Sequence, residues 1–311
     1  MENNHSESHS GTGRDKVSLY DDVTRRIIAE LEQGRVPWVQ PWGSANAALG
    51  LPRNAATQRA YSGINILILW GAVITRGYAA QHWLTFKQAL AVGGNVRKGE
   101  RGTTVCYADR FTPQSEKERA AKTGEEPGQV PFLKRFTVFN VAQCDGLPEA
   151  FHGTPAPVPE RERIPQAESL IAASGADFRI GGDRAFYVPS QDFIQVPPQP
   201  AFFQQIDYYR TCFHELGHWT GAEKRLHRDL SGHKGSHPYA REELVAEMTS
   251  AFVCASLSIT PTVRHADYLG SWLDVLREDN RAIFRAASQA SKAADFILAF
   301  QGTAAAAQVA A

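Results

Sequence analysis

The sequence predicts an α+β fold in two domains: the first with a small antiparallel sheet, the second mainly helical with a small sheet of its own. Three observations carry that prediction. Two strand-like runs, 103–108 and 132–141, flank a charged stretch poor in large apolar residues, as paired strands across a loop do. A connector with Pro148, Pro155, Pro157, Pro159 and Gly153 then divides the chain. Beyond it, apolar residues recur mostly at helical spacing. The 311 residues suffice for two domains. The expected segments are a disordered start (1–15), a first domain (16–147), a proline-rich linker (148–163), a second domain (164–300) and a frayed tail (301–311).

Composition excludes some classes of function. The 33 basic and 33 acidic residues cancel, so total charge names no partner. No run of about 18 apolar residues occurs, so no membrane span is expected. The polar start lacks the apolar core of a signal peptide. Cys106, Cys144, Cys212 and Cys254 are scattered without a C-x-x-C pair and read as buried single thiols. A cytoplasmic location is the expectation.

In chain order, Asp21 and Asp22 open a helix whose stripe is Val23, Ile27, Ile28 and Leu31, ended by Gly34. Pro37-Trp38 and Pro41-Trp42 follow on a stiff extended loop. The two tryptophans either stack on bases or a partner, or fill the core. Tyr61-Ser62-Gly63-Ile64-Asn65 leads into an apolar helix that stops near Gly77. Residues 81–89 read as a turn and a short helix, and 96–102 as a basic turn into the first strand. Between positions 53 and 110 the basic residues are Arg53, Arg59, Arg76, Lys87, Arg97, Lys98, Arg101 and Arg110, against Glu100 and Asp109 alone. Tyr61, Trp70, Tyr78, Trp83, Phe86 and Tyr107 are interleaved with them. Bases that track phosphates and aromatics that stack are what sequence-tolerant single-strand binding requires. A solvated basic face over an aromatic core has the same composition. Residues 112–129 read as a flexible loop, with at most a transient helical turn.

In the second half, 164–173 reads as a helix, and 178–180, 185–188 and 193–196 as short strands. A helix from near Phe202 then carries His214-Glu215-Leu216-Gly217-His218. Residues four apart share a helix face, so His214 and His218 can direct two imidazoles at one metal ion. Glu215 is placed to act as general base on a water there. A catalytic zinc site usually has three protein ligands. One zinc-peptidase class supplies a third His ten residues after the first; here Gly221 is present but that position is Lys224, and an ammonium cannot ligate. The helical stretch 240–257 offers Glu243 and Glu247 on one face. Glu243 is the candidate third ligand, with Glu247 hydrogen-bonding a ligand histidine; the alternative is an exposed acidic stripe. His227, His233 and His237 are the other candidates for third ligand; they lie in a loop over the cleft, where they otherwise serve as oxyanion donors or are simply solvated. Amphipathic helices at about 266–284 and 287–300 complete the chain.

Taken together the motifs resemble the ArdC-type antirestriction proteins of conjugative plasmids. The resemblance rests on Pro-Trp-x-x-Pro-Trp at 37–42, Tyr-Ser-Gly-Ile-Asn at 61–65, Trp-Leu-Thr-Phe-Lys-Gln-Ala at 83–89 and Gly-Gly-Asn-Val-Arg-Lys-Gly-Glu at 93–100. It continues in His-Glu-Leu-Gly-His-Trp-Thr-Gly at 214–221 and Tyr-Ala-Arg-Glu-Glu-Leu-Val-Ala-Glu at 239–247. It implies a single-stranded-DNA-binding domain followed by a zincin-like metallopeptidase domain, and protection of incoming DNA from host restriction. Single-stranded DNA and host restriction components are the implied partners, and Zn2+, or another divalent ion such as Mn2+, the implied cofactor. It supports Glu243 as ligand and Glu247 beside it. The DNA-contact candidates are Trp38, Trp42, Tyr61, Asn65, Trp83, Lys87, Arg97, Lys98 and Arg101. Two other readings are an active zinc endopeptidase that DNA binding only localises, and a non-catalytic binder with a structural metal.

Overall fold

The computed structural model describes residues 18–33, 36–38, 50–151, 160–202, 205–259 and 268–301. The expected disordered start, Gly34, Trp42, the linker's central prolines and the terminal tail lie outside the described residues.

Helix α1, Leu19–Glu32, starts where the Ser18 hydroxyl accepts the Asp21 amide at 3.1 Å, and it buries Val23, Ile27 and Leu31. Helix α2, Ile64–Arg76, ends on Gly77 in the left-handed region at φ 67°. Helix α3, Phe86–Ala91, opens with a capping box between Thr85 and Gln88. Around these helices β1 (Arg53–Asn54), β2 (His82–Leu84), β4 (Thr103–Phe111) and β5 (Val130–Asn140) form a sheet in the order β1-β2-β5-β4. β3 (Asn95–Val96) pairs with β6 (Cys144–Asp145). The expected pairing of the two long strands across the charged loop is present, antiparallel from Thr103 opposite Val138 to Phe111 opposite Val130. The loop itself is largely helix: α4, Gln114–Thr123, buries none of its residues and is closed by Gly124 at φ 74°. Helix-forming residues and the Arg119–Glu116 pair at 3.0 Å support it without any apolar face, and a search for amphipathic periodicity has nothing to detect there.

In the second half α5, Glu160–Ala173, begins inside the expected linker. β7 (Asp177–Ile180), β8 (Phe186–Val188) and β9 (Phe193–Val196) form a sheet in the order β7-β9-β8, with β8 at an edge. Then come α6 (Gln205–Thr220), α7 (His237–Ser256), α8 (Leu269–Glu278) and α9 (Ala282–Leu298). The break between the last two falls at 279–281, earlier than the apolar pattern suggests. Asp279 takes an extended backbone and its carboxylate accepts the Arg281 amide at 2.9 Å, a local bond that competes with the helix. None of the described helices is long and apolar enough to cross a membrane.

α7 carries an almost unbroken run of buried residues because it packs against both α6 and α9. The contact with α6 is set by Gly217: a Cβ there would lie 3.1 Å from Cα of Ala246 and 3.3 Å from Cβ of Thr249. The two domains share one apolar cluster, which runs from Leu19 through Trp70 and Tyr209 to Ile297, while a smaller cluster around Leu84, Val96 and Val141 belongs to the first domain alone. Trp38 packs edge-on to Trp272 at 5.5 Å, and Trp70 edge-on to Phe252 at 5.8 Å. Thr24 donates to the Asn280 carbonyl at 2.7 Å, and the Gly63 amide to the Ser291 hydroxyl at 2.8 Å.

Two outcomes follow from this packing. Trp38→Ala is expected to lower stability by about 3–5 kcal/mol, the usual cost of emptying a buried tryptophan site, in one transition that carries both domains; two well-separated melting steps in calorimetry would contradict the shared core. Gly217→Val is expected to cost about 1–3 kcal/mol by forcing α6 from α7, read as a lower melting temperature.

Candidate metal centre

The facing surfaces of α6 and α7 bring five ionisable side chains together. His214 and His218 are one helical turn apart on α6, with ring centroids 4.9 Å apart and planes at 81°. Glu242, Glu243 and Glu247 come from α7, and all three are buried. Both imidazoles turn Nε2 to Glu243, at 3.5 Å from His214 to Oε2 and 3.4 Å from His218 to Oε1. Their Nδ1 atoms go to different carboxylates, His214 to Glu247 at 3.5 Å and His218 to Glu242 at 3.2 Å.

This donor set fits a divalent ion. One ligand atom each from His214, His218 and Glu243 can be chosen so that all lie within 4.8 Å of one another. Two ligands of a tetrahedral ion at about 2.1 Å from it lie roughly 3.4 Å apart, which is the spacing of the Nε2–carboxylate pairs. The outer nitrogen of each imidazole rests on a carboxylate, the arrangement that fixes tautomer and ring orientation in histidine metal sites. Two nitrogens and one carboxylate oxygen are a zinc-type set.

The electrostatics have one direction. Burial opposes charge on His214, but the Glu243 hydrogen bond and the Glu247 charge outweigh it and raise its pKa. His218 is raised well above the usual imidazole value, burial again being overcome by Glu242 and Glu243. Glu243 is held far below the carboxylate range because bonds from both histidines override its burial. The pocket therefore favours positive charge between α6 and α7.

Arg228 is a residue of this centre that sequence reasoning missed, and Glu242, one of the acids in the 240–248 stretch, takes a place beside His218. Arg228 forks onto Glu242 at 2.7 and 3.0 Å and also donates to the Gly217 carbonyl at 2.7 Å and the Thr220 hydroxyl at 2.9 Å. Glu242 is adjacent to Glu243 in sequence and therefore visible, but its partner stands 14 positions earlier, in the segment between α6 and α7, which has no periodicity. Gly221 fits here because a Cβ on it would meet Arg228 Nη2 at 2.9 Å. Lys224 is engaged elsewhere, its Nζ 2.8 Å from Asp192. Arg225 also binds Asp192, holding its carboxyl well below the usual range, and so ties the end of α6 to the β8–β9 turn.

Glu215 lines a cavity of about 310 Å³ with His214, His218, Glu243, Tyr239 and residues of the β8 edge. The loop histidines do not join it. His237 opens α7 and pairs with Glu278 at 3.0 Å, while His233 is exposed; the cavity lining contains neither these two nor His227.

The DNA-contact candidates separate. Trp38 and Trp83 are fully buried, which corrects their reading as stacking residues: their faces are spent on the core. Trp42 is outside the described residues. Asn65 uses both amide atoms on the Cys106 backbone, each at 2.8 Å, so its role is structural. Tyr61 is partly buried against the core. Arg97 is exposed but held by Glu100 at 3.0 Å, Asp145 at 3.2 Å and the Ala142 carbonyl at 2.6 Å. Lys87, Lys98 and Arg101 are exposed.

Comparison with known proteins agrees across both domains. Residues 17–139 match the family model for the N-terminal domain of anti-restriction factor ArdC, and 165–289 that for a zincin-like metallopeptidase. An uncharacterized protein, y4eC, of Sinorhizobium fredii (strain NBRC 101917 / NGR234) is 42% identical over 301 residues, covering 94% of this chain and 95% of that protein. DNA primase TraC of Escherichia coli is 40% identical over 309 residues; the match takes in 92% of this chain but 27% of the primase. The crystal structure of the antirestriction ArdC protein from the R388 plasmid, metal-free, superposes with a TM-score of 0.76 at 39% identity, covering 92% of this chain and 98% of that one. Its Mn(II)-bound structure gives 0.75 at 39%, covering 91% and 98%. The chain belongs to the ArdC-type antirestriction family.

Proposed function

We propose that this protein shields DNA entering on a mobile element from host restriction, binding it as a single strand through the N-terminal domain. The second domain holds a divalent ion, Zn2+ foremost, on His214, His218 and Glu243 and is built for peptide hydrolysis. The observation that carries the hydrolytic reading is Glu215. It borders the same cavity as the three ligand side chains, one residue along α6 from His214.

A divalent ion at this centre supplies Lewis acidity toward a carbonyl and brings the ionisation of water near neutral pH. Glu215 takes the proton from the attacking water and returns it to the leaving amine. Glu247 and Glu242 hold the two imidazoles in the orientation that keeps Nε2 toward the cleft. Arg228 neutralises Glu242, which makes a second carboxylate beside His218 tolerable in the interior.

Glu243→Ala is expected to abolish stoichiometric zinc retention on dialysis, and Glu247→Gln to weaken zinc affinity about 10–100-fold, as loss of a partner of a ligand histidine does. Zinc content and competition titration measure both, and unaltered affinity in Glu243→Ala removes it from the ligand set. Glu215→Ala is expected to keep its zinc and to lose restriction protection of a transferred plasmid, together with any peptidase turnover, by about 10²-fold or more. Full protection in that variant would transfer the protective role to DNA binding alone.

A further inference from the structure

We propose that Tyr239 is the oxyanion donor of the metal centre: its hydroxyl hydrogen-bonds the peptide carbonyl oxygen that turns negative when water adds to the carbonyl carbon. The inference rests on the hydrolytic reading above and adds a neutral hydroxyl to the carboxylates and imidazoles named there.

The chemistry creates the need for such a donor. As water adds to the carbonyl carbon, its proton goes to Glu215 and the π pair of the carbonyl goes to oxygen. Collapse returns that pair, breaks the C–N bond and passes the proton from Glu215 to the leaving nitrogen, giving a carboxyl group and an amine. Between the two steps the oxygen is negative, and its surroundings are acidic. Glu215, Glu242, Glu243 and Asp229 border the 310 Å³ cavity, and among the described residues no lysine or arginine does. A fixed hydrogen-bond donor aimed at the developing charge is worth more in such a cavity than in water.

Elimination leaves two candidates. Apart from His214 and His218, the side-chain donors on this lining are three tyrosines. Tyr187 is committed elsewhere: its hydroxyl donates to Asp192 at 2.8 Å and accepts from Arg225 at 3.1 Å. Tyr239 and Tyr268 remain, hydroxyl to hydroxyl at 3.1 Å. Both also border a larger cavity of about 1250 Å³ that shares His214 and Glu215 with the first. Position selects Tyr239. It stands in the first turn of α7, where the Ser236 hydroxyl accepts its amide at 3.3 Å. It precedes Glu243 by four residues and so lies on the face that carries this ligand. Its hydroxyl is near enough to Glu243 to feel that carboxylate's charge. Tyr268 instead stacks on the buried Trp272, with centroids 6.2 Å apart and planes at 29°, which makes it a support. A hydroxyl has one proton and two lone pairs, so Tyr239 can accept from Tyr268 and still donate to a substrate oxygen.

The test is Tyr239→Phe in the full chain, which keeps the ring and removes only the hydroxyl. Zinc content after dialysis and the melting temperature of the metal-free protein are expected to match wild type. Acetohydroxamate, which presents a carbonyl oxygen beside an anionic one, is then titrated into the Co(II)-loaded chain and followed in the visible spectrum. Its affinity should fall about tenfold or more in Tyr239→Phe, the loss of a hydrogen bond to a charged group, and by less in Tyr268→Phe, which removes only the support. Unchanged affinity in Tyr239→Phe overturns the assignment. An equal or larger loss in Tyr268→Phe moves the donor to that residue and overturns it too. Loss of zinc from Tyr239→Phe makes Tyr239 a positioning residue for Glu243 and overturns it as well. A wild type that binds cobalt but not acetohydroxamate has no position open to a carbonyl, so the hydrolytic reading falls with the donor; a wild type that binds no metal overturns the centre itself.

Discussion

The structure depends on a burial that is unfavourable on its own: three carboxylates and two imidazoles enclosed between α6 and α7. A buried charge costs several kcal/mol unless it is matched, and here the matching is distributed. Glu242 is met by the fork of Arg228 and by His218, Glu243 by both imidazoles, and Glu247 by His214. The arrangement works only if the helices approach closely, and Gly217 against Ala246 permits that approach. A divalent ion held as proposed by His214, His218 and Glu243 would serve the same end as protons on the histidines.

That close contact explains why the scaffold around it is shared between domains. α7 cannot solvate its far side, because its buried run extends almost all the way round the helix. α9 covers that side, and α9 is in turn held by α2 through the Gly63–Ser291 bond. α1 and Trp38 pack on α8 and Trp272. The N-terminal domain thus supplies part of the wall behind the metal centre, and the proline-rich connector marks a change in composition without dividing the core.

Local features were legible in the sequence and long-range ones were not. The histidine pair and the face shared by Glu243 and Glu247 follow from spacing within one element, the end of α2 from Gly77, and the pairing of the long strands from two neighbouring runs across one loop. Lys224 stands at the nearest third-ligand position of the longer histidine pattern, and its ammonium is paired with Asp192. Arg228 was invisible because nothing in sequence links it to Glu242. α4 escaped because an exposed helix held by charge pairs has no apolar period.

The tryptophans show the limit most sharply. Stacking on a base and packing in a core both need a large flat ring, so composition cannot separate them. What separates them is the partner, and for Trp38 that partner is Trp272, far along the chain. The same logic runs in reverse for Tyr107 and Phe136. They sit in strands whose inner ends are buried, and the alternation alone would assign them to the core. The ribbon extends beyond the helices that cover its base, and its outer aromatics are left in solvent. Strand length relative to the underlying scaffold therefore decides which aromatics are buried, and that ratio exists only once the elements are assembled.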